Sequence, residues 1–236
     1  MMNRKHLLAA AVAAALLPTV AMAHNQGARV SVGGVYQHAT IGAAAGNLPG
    51  VEFGISQRAG GIGIRARLSL ARANGAELDS GSVRFLAYPG RRVSPYLSVG
   101  GLALSNLPGG SSTVVDYSFN PTNGYENQTP VTTLLPPVGV VMGDLFVGLH
   151  AAIPVNSRLS LDGHAALGAG IGGSATGLPP AMGARSEIAH EAGVAMRYRL
   201  PHGPRLSIGY SEESIPVRGA TFKSGGVIVS ATRRFF

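Results

Sequence analysis

Apolar residues recur at every second position over several stretches of this chain, with charged or small residues between them. The clearest stretch sets Ile62, Ile64, Ala66, Leu68 and Leu70 against Gly63, Arg65, Arg67 and Ser69. A second sets Leu145, Val147, Leu149, Ala151 and Ile153 against Asp144, Phe146, Gly148, His150 and Ala152. A third alternates Leu159, Leu161, Gly163, Ala165 and Leu167 with Arg158, Ser160, Asp162 and His164. A fourth alternates Ile188, Ala192, Val194, Met196, Tyr198 and Leu200 with Glu187, Glu191, Arg197 and Arg199, and His190 is the one polar residue on its apolar row. A period of two sends neighbouring side chains to opposite faces of a strand, so each stretch reads as a strand with one dry and one wet face.

Extended along the chain, the alternation predicts ten strands near 28–41, 51–57, 61–72, 80–88, 94–105, 143–153, 158–170, 187–200, 204–211 and 222–236. The segment Val51 to Gln57 is short; if it belongs to a loop or to a longer strand, eight strands remain. Connections alternate in length. Pro89-Gly90-Arg91-Arg92, Pro154-Val155-Asn156-Ser157 and Pro201-His202-Gly203-Pro204 read as tight turns with φ preset at proline. Between them fall longer connections at 42–50, 73–79, 106–142, 172–185 and 212–221. Short turns on one side and long loops on the other are the habit of barrels that cross an outer membrane, with the short turns in the periplasm.

The fold expected is therefore all-β: a closed antiparallel transmembrane barrel of ten strands, eight as the alternative. In hydrocarbon every backbone N–H and C=O must pair within the protein, and only a closed sheet lets strands do so. A soluble sandwich would oppose its apolar faces across a core and bring bulky aromatics to fill it. This chain has no Trp and only 6% aromatic residues. The wet parity instead carries Arg65, Arg67, Arg84, Asp144, His150, Arg158, Asp162, His164, Glu187, Glu191, Arg197, Arg199 and Arg205, the candidate lining of a narrow lumen filled by charge pairs.

The two ends add an address. Arg4 and Lys5 precede an apolar run from Leu7 to Leu17, and Ala21-Met22-Ala23 supplies a small-residue cleavage site, so residues 1–23 read as a signal peptide and 24–236 as one barrel domain. No stretch of the remainder reaches the roughly 18 apolar residues that a spanning helix needs. The last stretch, Gly225 to Phe236, alternates like a strand up to its final residue, which makes Phe236 the candidate signal for the barrel-assembly machinery. With no cysteine in an exported chain, disulfides cannot hold it together. The predicted location is the cell outer membrane.

Charge changes the picture little. The formal net charge is +8, two of which, Arg4 and Lys5, belong to the leader. The surplus is mostly arginine, whose fork suits phosphate, so outer-membrane lipid and lipopolysaccharide phosphates are the partners expected. No basic cluster is interleaved with aromatics, which argues against nucleic acid. The oligomeric state is not written in the sequence.

Candidate chemistry is sparse. Gly168-Ala169-Gly170-Ile171-Gly172-Gly173 has the glycine spacing of a dinucleotide fingerprint, but Pro179-Pro180 follows where a helix should begin, so it reads as a strand entering a loop. His24, His38, His150, His164, His190 and His202 never fall at metal-ligand spacing, and neither metal nor cofactor is expected. Ser186 with His190, and Ser160 with His164, lie four apart on one strand, about 13 Å, too far for a nucleophile and its base. No catalytic residue is assigned, and the chain is not expected to be an enzyme. The expected function is a small porin-like or structural surface protein. The alternatives are a surface adhesion or interaction role through the 106–142 loop, with Tyr117, Phe119 and Tyr125 folding onto the barrel mouth, and a lipid-modifying outer-membrane enzyme.

The run Glu191-Ala192-Gly193-Val194-Ala195-Met196-Arg197-Tyr198-Arg199-Leu200-Pro201, then Leu206-Ser207-Ile208-Gly209-Tyr210 and a Gly-rich last strand ending in Phe236, resembles the closing hairpins of YfaZ-type small outer-membrane barrels. It is similar, less specifically, to OmpW-like and opacity-type barrels. The resemblance covers the last third best and Gly61 to Gly101 loosely. It implies an outer-membrane location and no established catalytic activity. Arg233 and Arg234 depart from the pattern, standing just before Phe235 where an apolar residue is usual.

Overall fold

A computed structural model describes residues 27–119, 126–178, 188–201, 203–217 and 220–235. Residues 1–23, expected to be a signal peptide, and His24, Tyr125, Ser186, Glu187, His202 and Phe236 lie outside the described residues. The strands are β1 Ala28–Ile41, β2 Ala44–Ala59, β3 Ile62–Ala73, β4 Ala76–Ala87, β5 Val93–Leu107, β6 Ser111–Phe119, β7 Glu126–Leu134, β8 Val138–Pro154, β9 Leu159–Thr176, β10 Ala189–Arg199, β11 Arg205–Val217 and β12 Ala220–Phe235. Ten of them close into a barrel in the order β1-β12-β11-β10-β9-β8-β5-β4-β3-β2, and every pairing is antiparallel. Strands β6 and β7 pair only with each other, as a hairpin projecting from the β5–β8 connection.

The ten-strand count holds, and the eight-strand alternative falls because residues 44–59 form a strand of their own, β2, paired with β1 on one side and β3 on the other. Four of the five expected long connections are shorter than the sequence suggested. Residues 42–50 reduce to a turn at Gly42-Ala43, and 73–79 to Asn74-Gly75. Both residues of the second turn have positive φ, 50° and 81°, the geometry an Asn-Gly hairpin favours. The 172–185 connection loses its first residues to β9, and 212–221 is nearly all strand. The 106–142 loop carries the β6–β7 hairpin, on which Tyr117 is exposed rather than folded onto the mouth.

The exterior follows the dry parity. Val32, Tyr36, Val147, Leu149, Val194, Met196, Ile208 and Val229 all face outward and exposed. The interior departs from expectation in half its length. At the end bearing the β6–β7 hairpin, the inward positions are apolar: Ile41, Leu48, Leu78, Leu104, Val140, Ile215 and Phe222 are each at most 2% exposed and belong to one packed cluster. With Ala71, Ala189 and the partly buried Ala175, all ten barrel strands contribute to this seal. A bulge in β5, where Asn106 takes φ 55°, shifts the register between Leu104 and Leu107 so that both lie in the seal. Charge pairs fill only the other half, toward the chain termini.

Candidate functional site

The polar half of the interior is built by parity from β3, β4, β5, β8, β9 and β10. Arg65 and Arg67 of β3 face inward beside Arg84 and Ser82 of β4 in register. Across the lumen, β10 presents Glu191. Arg84 Nη2 donates to Glu191 Oε1 at 2.9 Å, and the Tyr96 hydroxyl donates to the same oxygen. Arg84 also lies over the Tyr96 ring, 4.3 Å from its centroid. These contacts tie β4 and β5 to β10 through the middle of the barrel, where a low dielectric strengthens each hydrogen bond.

A second group sits one layer nearer the termini. Arg197 Nη1 donates to Asp162 Oδ1 at 2.7 Å, and His150 Nε2 lies 3.2 Å from that oxygen. Arg65 Nη1 is 3.3 Å from the same His150 nitrogen. His164, the register partner of His150, meets Tyr96 edge to face at 6.4 Å. Gly193 makes room for it: a Cβ there would stand 2.5 Å from the His164 ring. Asp144 is buried opposite Gly100 on β5.

Of the residues singled out from the sequence, the structure gathers Arg65, Arg67, Arg84, Asp144, His150, Asp162, His164, Glu191 and Arg197 in this interior. Arg199 stands exposed at the rim. Arg158 is not inside: it is exposed in the β8–β9 turn, where Asn156 Oδ1 accepts its backbone N–H at 2.8 Å. His190 faces outward and exposed on β10. Ser94 is the register partner of His150, and its hydroxyl donates to the Tyr88 carbonyl at 3.0 Å. The glycine run 168–173 lies within β9, where a strand leaves no helix N-terminus to cradle a pyrophosphate.

Sequence reasoning missed Tyr96, Glu52 and Glu213 as interior residues. Tyr96 lies in the 94–105 strand, which was given by its bounds with neither face assigned, and Glu213 in what was taken as a loop. It also missed a chamber of about 510 Å³ open at the termini end, with Arg29, Arg58, Arg205 and Arg234 around its mouth and Arg65 and Arg197 at its floor. Deeper cavities are small, about 100 and 60 Å³. The signal for the chamber was available in the inward parity of arginines near the chain ends.

No family model matches this chain, and no curated protein does. Solved structures similar to it include the outer membrane protease OmpT from Escherichia coli, 9% identical over 90% of this chain and 97% of that one, with a TM-score of 0.49. The translocator domain of autotransporter NalP from Neisseria meningitidis is 16% identical over 94% and 97% of the two chains, with a TM-score of 0.40. The Yersinia pestis outer membrane protein Ail is 13% identical over 89% and 100%, with a TM-score of 0.39.

Proposed function

We propose that this chain is an exported, integral outer-membrane barrel with a sealed interior, a structural surface protein that displays its β6–β7 hairpin outside the cell and is neither an open porin nor an enzyme. The seal carries the reading. A barrel that conducts solutes needs a wetted path, and here aliphatic side chains and Phe222 from around the barrel pack together at the hairpin end. The outward rows of Val, Leu, Ile and Tyr support a bilayer setting, because that much apolar surface on a closed sheet suits hydrocarbon and not water. The signal-peptide pattern of Arg4 and Lys5 before the apolar run Leu7 to Leu17 supports export. The hairpin supports an interaction role, since Val114, Tyr117, Val131 and Leu134 stand exposed on it beyond the barrel wall. The likeness to YfaZ-type barrels rests mainly on residues that form the β10–β11 hairpin.

Planar-bilayer recording of the purified, refolded barrel tests the seal. The expected result is a quiet membrane, with no discrete conductance steps at either polarity. Reproducible steps that disappear when Arg65 and Arg67 are replaced by Ser would overturn it in favour of a narrow channel.

A further inference from the structure

We propose that the chamber at the termini end is a binding site for a soluble anion carrying two or more phosphate groups. Its wall holds eight arginines against a single carboxylate, Asp162, and that carboxylate is already engaged by Arg197 and His150. Among the described residues, no carboxylate lies within ion-pair distance of Arg29, Arg58, Arg205 or Arg234.

The sheet register brings these cations together rather than apart. Arg29 of β1 stands directly opposite Arg234 of β12, and Arg205 of β11 opposite Arg199 of β10. Like charges facing each other across a strand pair destabilise a sheet unless something between them carries the opposite charge. A phosphate oxyanion does so best, because each guanidinium presents two parallel N–H donors that match two oxygens. One phosphate uses only a few of the eight, so a compact polyanion fits the charge better. The chamber's size is in the range that encloses small ligands.

The seal gives the site its character. Because apolar packing blocks the far end, an anion that enters from the termini side has no exit beyond, and the chamber holds it instead of passing it on. Only the side from which the ligand arrives rests on the membrane orientation proposed above; the binding itself does not.

The test uses the full mature barrel in phosphatidylcholine nanodiscs, titrated calorimetrically with pyrophosphate and, separately, with inorganic phosphate and acetate. Saturable binding of one pyrophosphate is expected, tighter than phosphate, with acetate weakest, and weakening as salt is raised. The double variant Arg29→Ser/Arg205→Ser is expected to lose about tenfold or more in affinity, as charge-assisted hydrogen bonds are removed. Arg72→Ser, on the exterior at the opposite end and 3.9 Å from Glu77, is expected to leave it unchanged. Should the first variant fail the gel-mobility test of folding, Arg91→Ser/Arg92→Ser in the exposed β4–β5 turn carries the same expectation. Absence of saturable binding, or equal affinity in the mouth variants, overturns the site. Adding phosphatidylglycerol to the disc separates the sources: unchanged affinity supports a soluble ligand, and competition overturns that assignment in favour of a lipid headgroup.

Discussion

Replacing Phe222 with alanine tests whether the hairpin end is truly packed. Phe222 is 0% exposed and faces the interior between its register partners Ile41 and Ile215, each also 0% exposed. Both neighbours are anchored in their own strands and relax only partly into the space, so the ring leaves a cavity. A buried Phe→Ala change of this kind costs about 3–5 kcal/mol, from lost transfer energy and lost contacts together. With a urea slope of about 2 kcal/mol per molar, the unfolding midpoint falls by roughly 1.5–2.5 M. The chain has no Trp, so unfolding in lipid vesicles is best followed by the mobility difference between folded and boiled protein on a gel. Val229→Ala, on the outward face of the same strand, is the control and is expected to shift the midpoint far less. Equal midpoints for the two variants would refute the packed seal.

Other expectations follow from single contacts. Glu191→Leu leaves Arg84 inside the barrel without its partner and is expected to destabilise by about 3–5 kcal/mol, while Arg84→Met/Glu191→Leu loses much less than the sum of Arg84→Met and Glu191→Leu; a double-mutant cycle in urea reads the difference. Val147→Arg, outward and 64% exposed, is expected to cost about 2–4 kcal/mol in vesicles if it sits near the bilayer midplane. Leu134→Arg, 82% exposed on the β6–β7 hairpin, is expected to be close to neutral in the same unfolding assay. Deleting residues 109–136 and joining the ends with a short Gly-Ser linker is expected to leave heat-modifiable mobility intact, because β6 and β7 pair only with each other.

The sequence was legible wherever the two faces of a strand differ. Ile62 to Leu70, Leu145 to Ile153 and Leu159 to Leu167 alternate because one side forms the apolar exterior and the other lines the charged half of the lumen, and these segments lie in β3, β8 and β9. It was not legible where both faces are apolar or small. Residues 44–50 hold Leu48 inward and Val51 just beyond it outward, with Pro49 between, so the period of two disappears although β2 runs through. Residues 212–217 misled in the same way: Glu, Ser and Pro suggested a loop, while Ile215 and Val217 were turning inward to the seal. The seal itself is dispersed, one to three residues per strand. No window along the chain displays it, and only closure of the sheet assembles it. The site residues were read by parity, which placed Arg84, Glu191, Asp162 and Arg197 inside but does not say that Arg84 meets Glu191 and Arg197 meets Asp162. Arg158 went astray because the strand begins at Leu159, one residue after it.

A barrel in a bilayer requires the side chains of its wall to alternate between lipid and interior, and the cysteine-free chain allows that to be read one position at a time. Single cysteines from position 145 to 153 in β8, each carrying a spin label in lipid vesicles, would report access to oxygen dissolved in the lipid and to a water-soluble nickel chelate. The prediction is strict alternation, with lipid access at 145, 147, 149, 151 and 153 and protection from lipid at 146, 148, 150 and 152. Uniform access to the aqueous chelate along the strand would contradict it, and with it the barrel in a membrane.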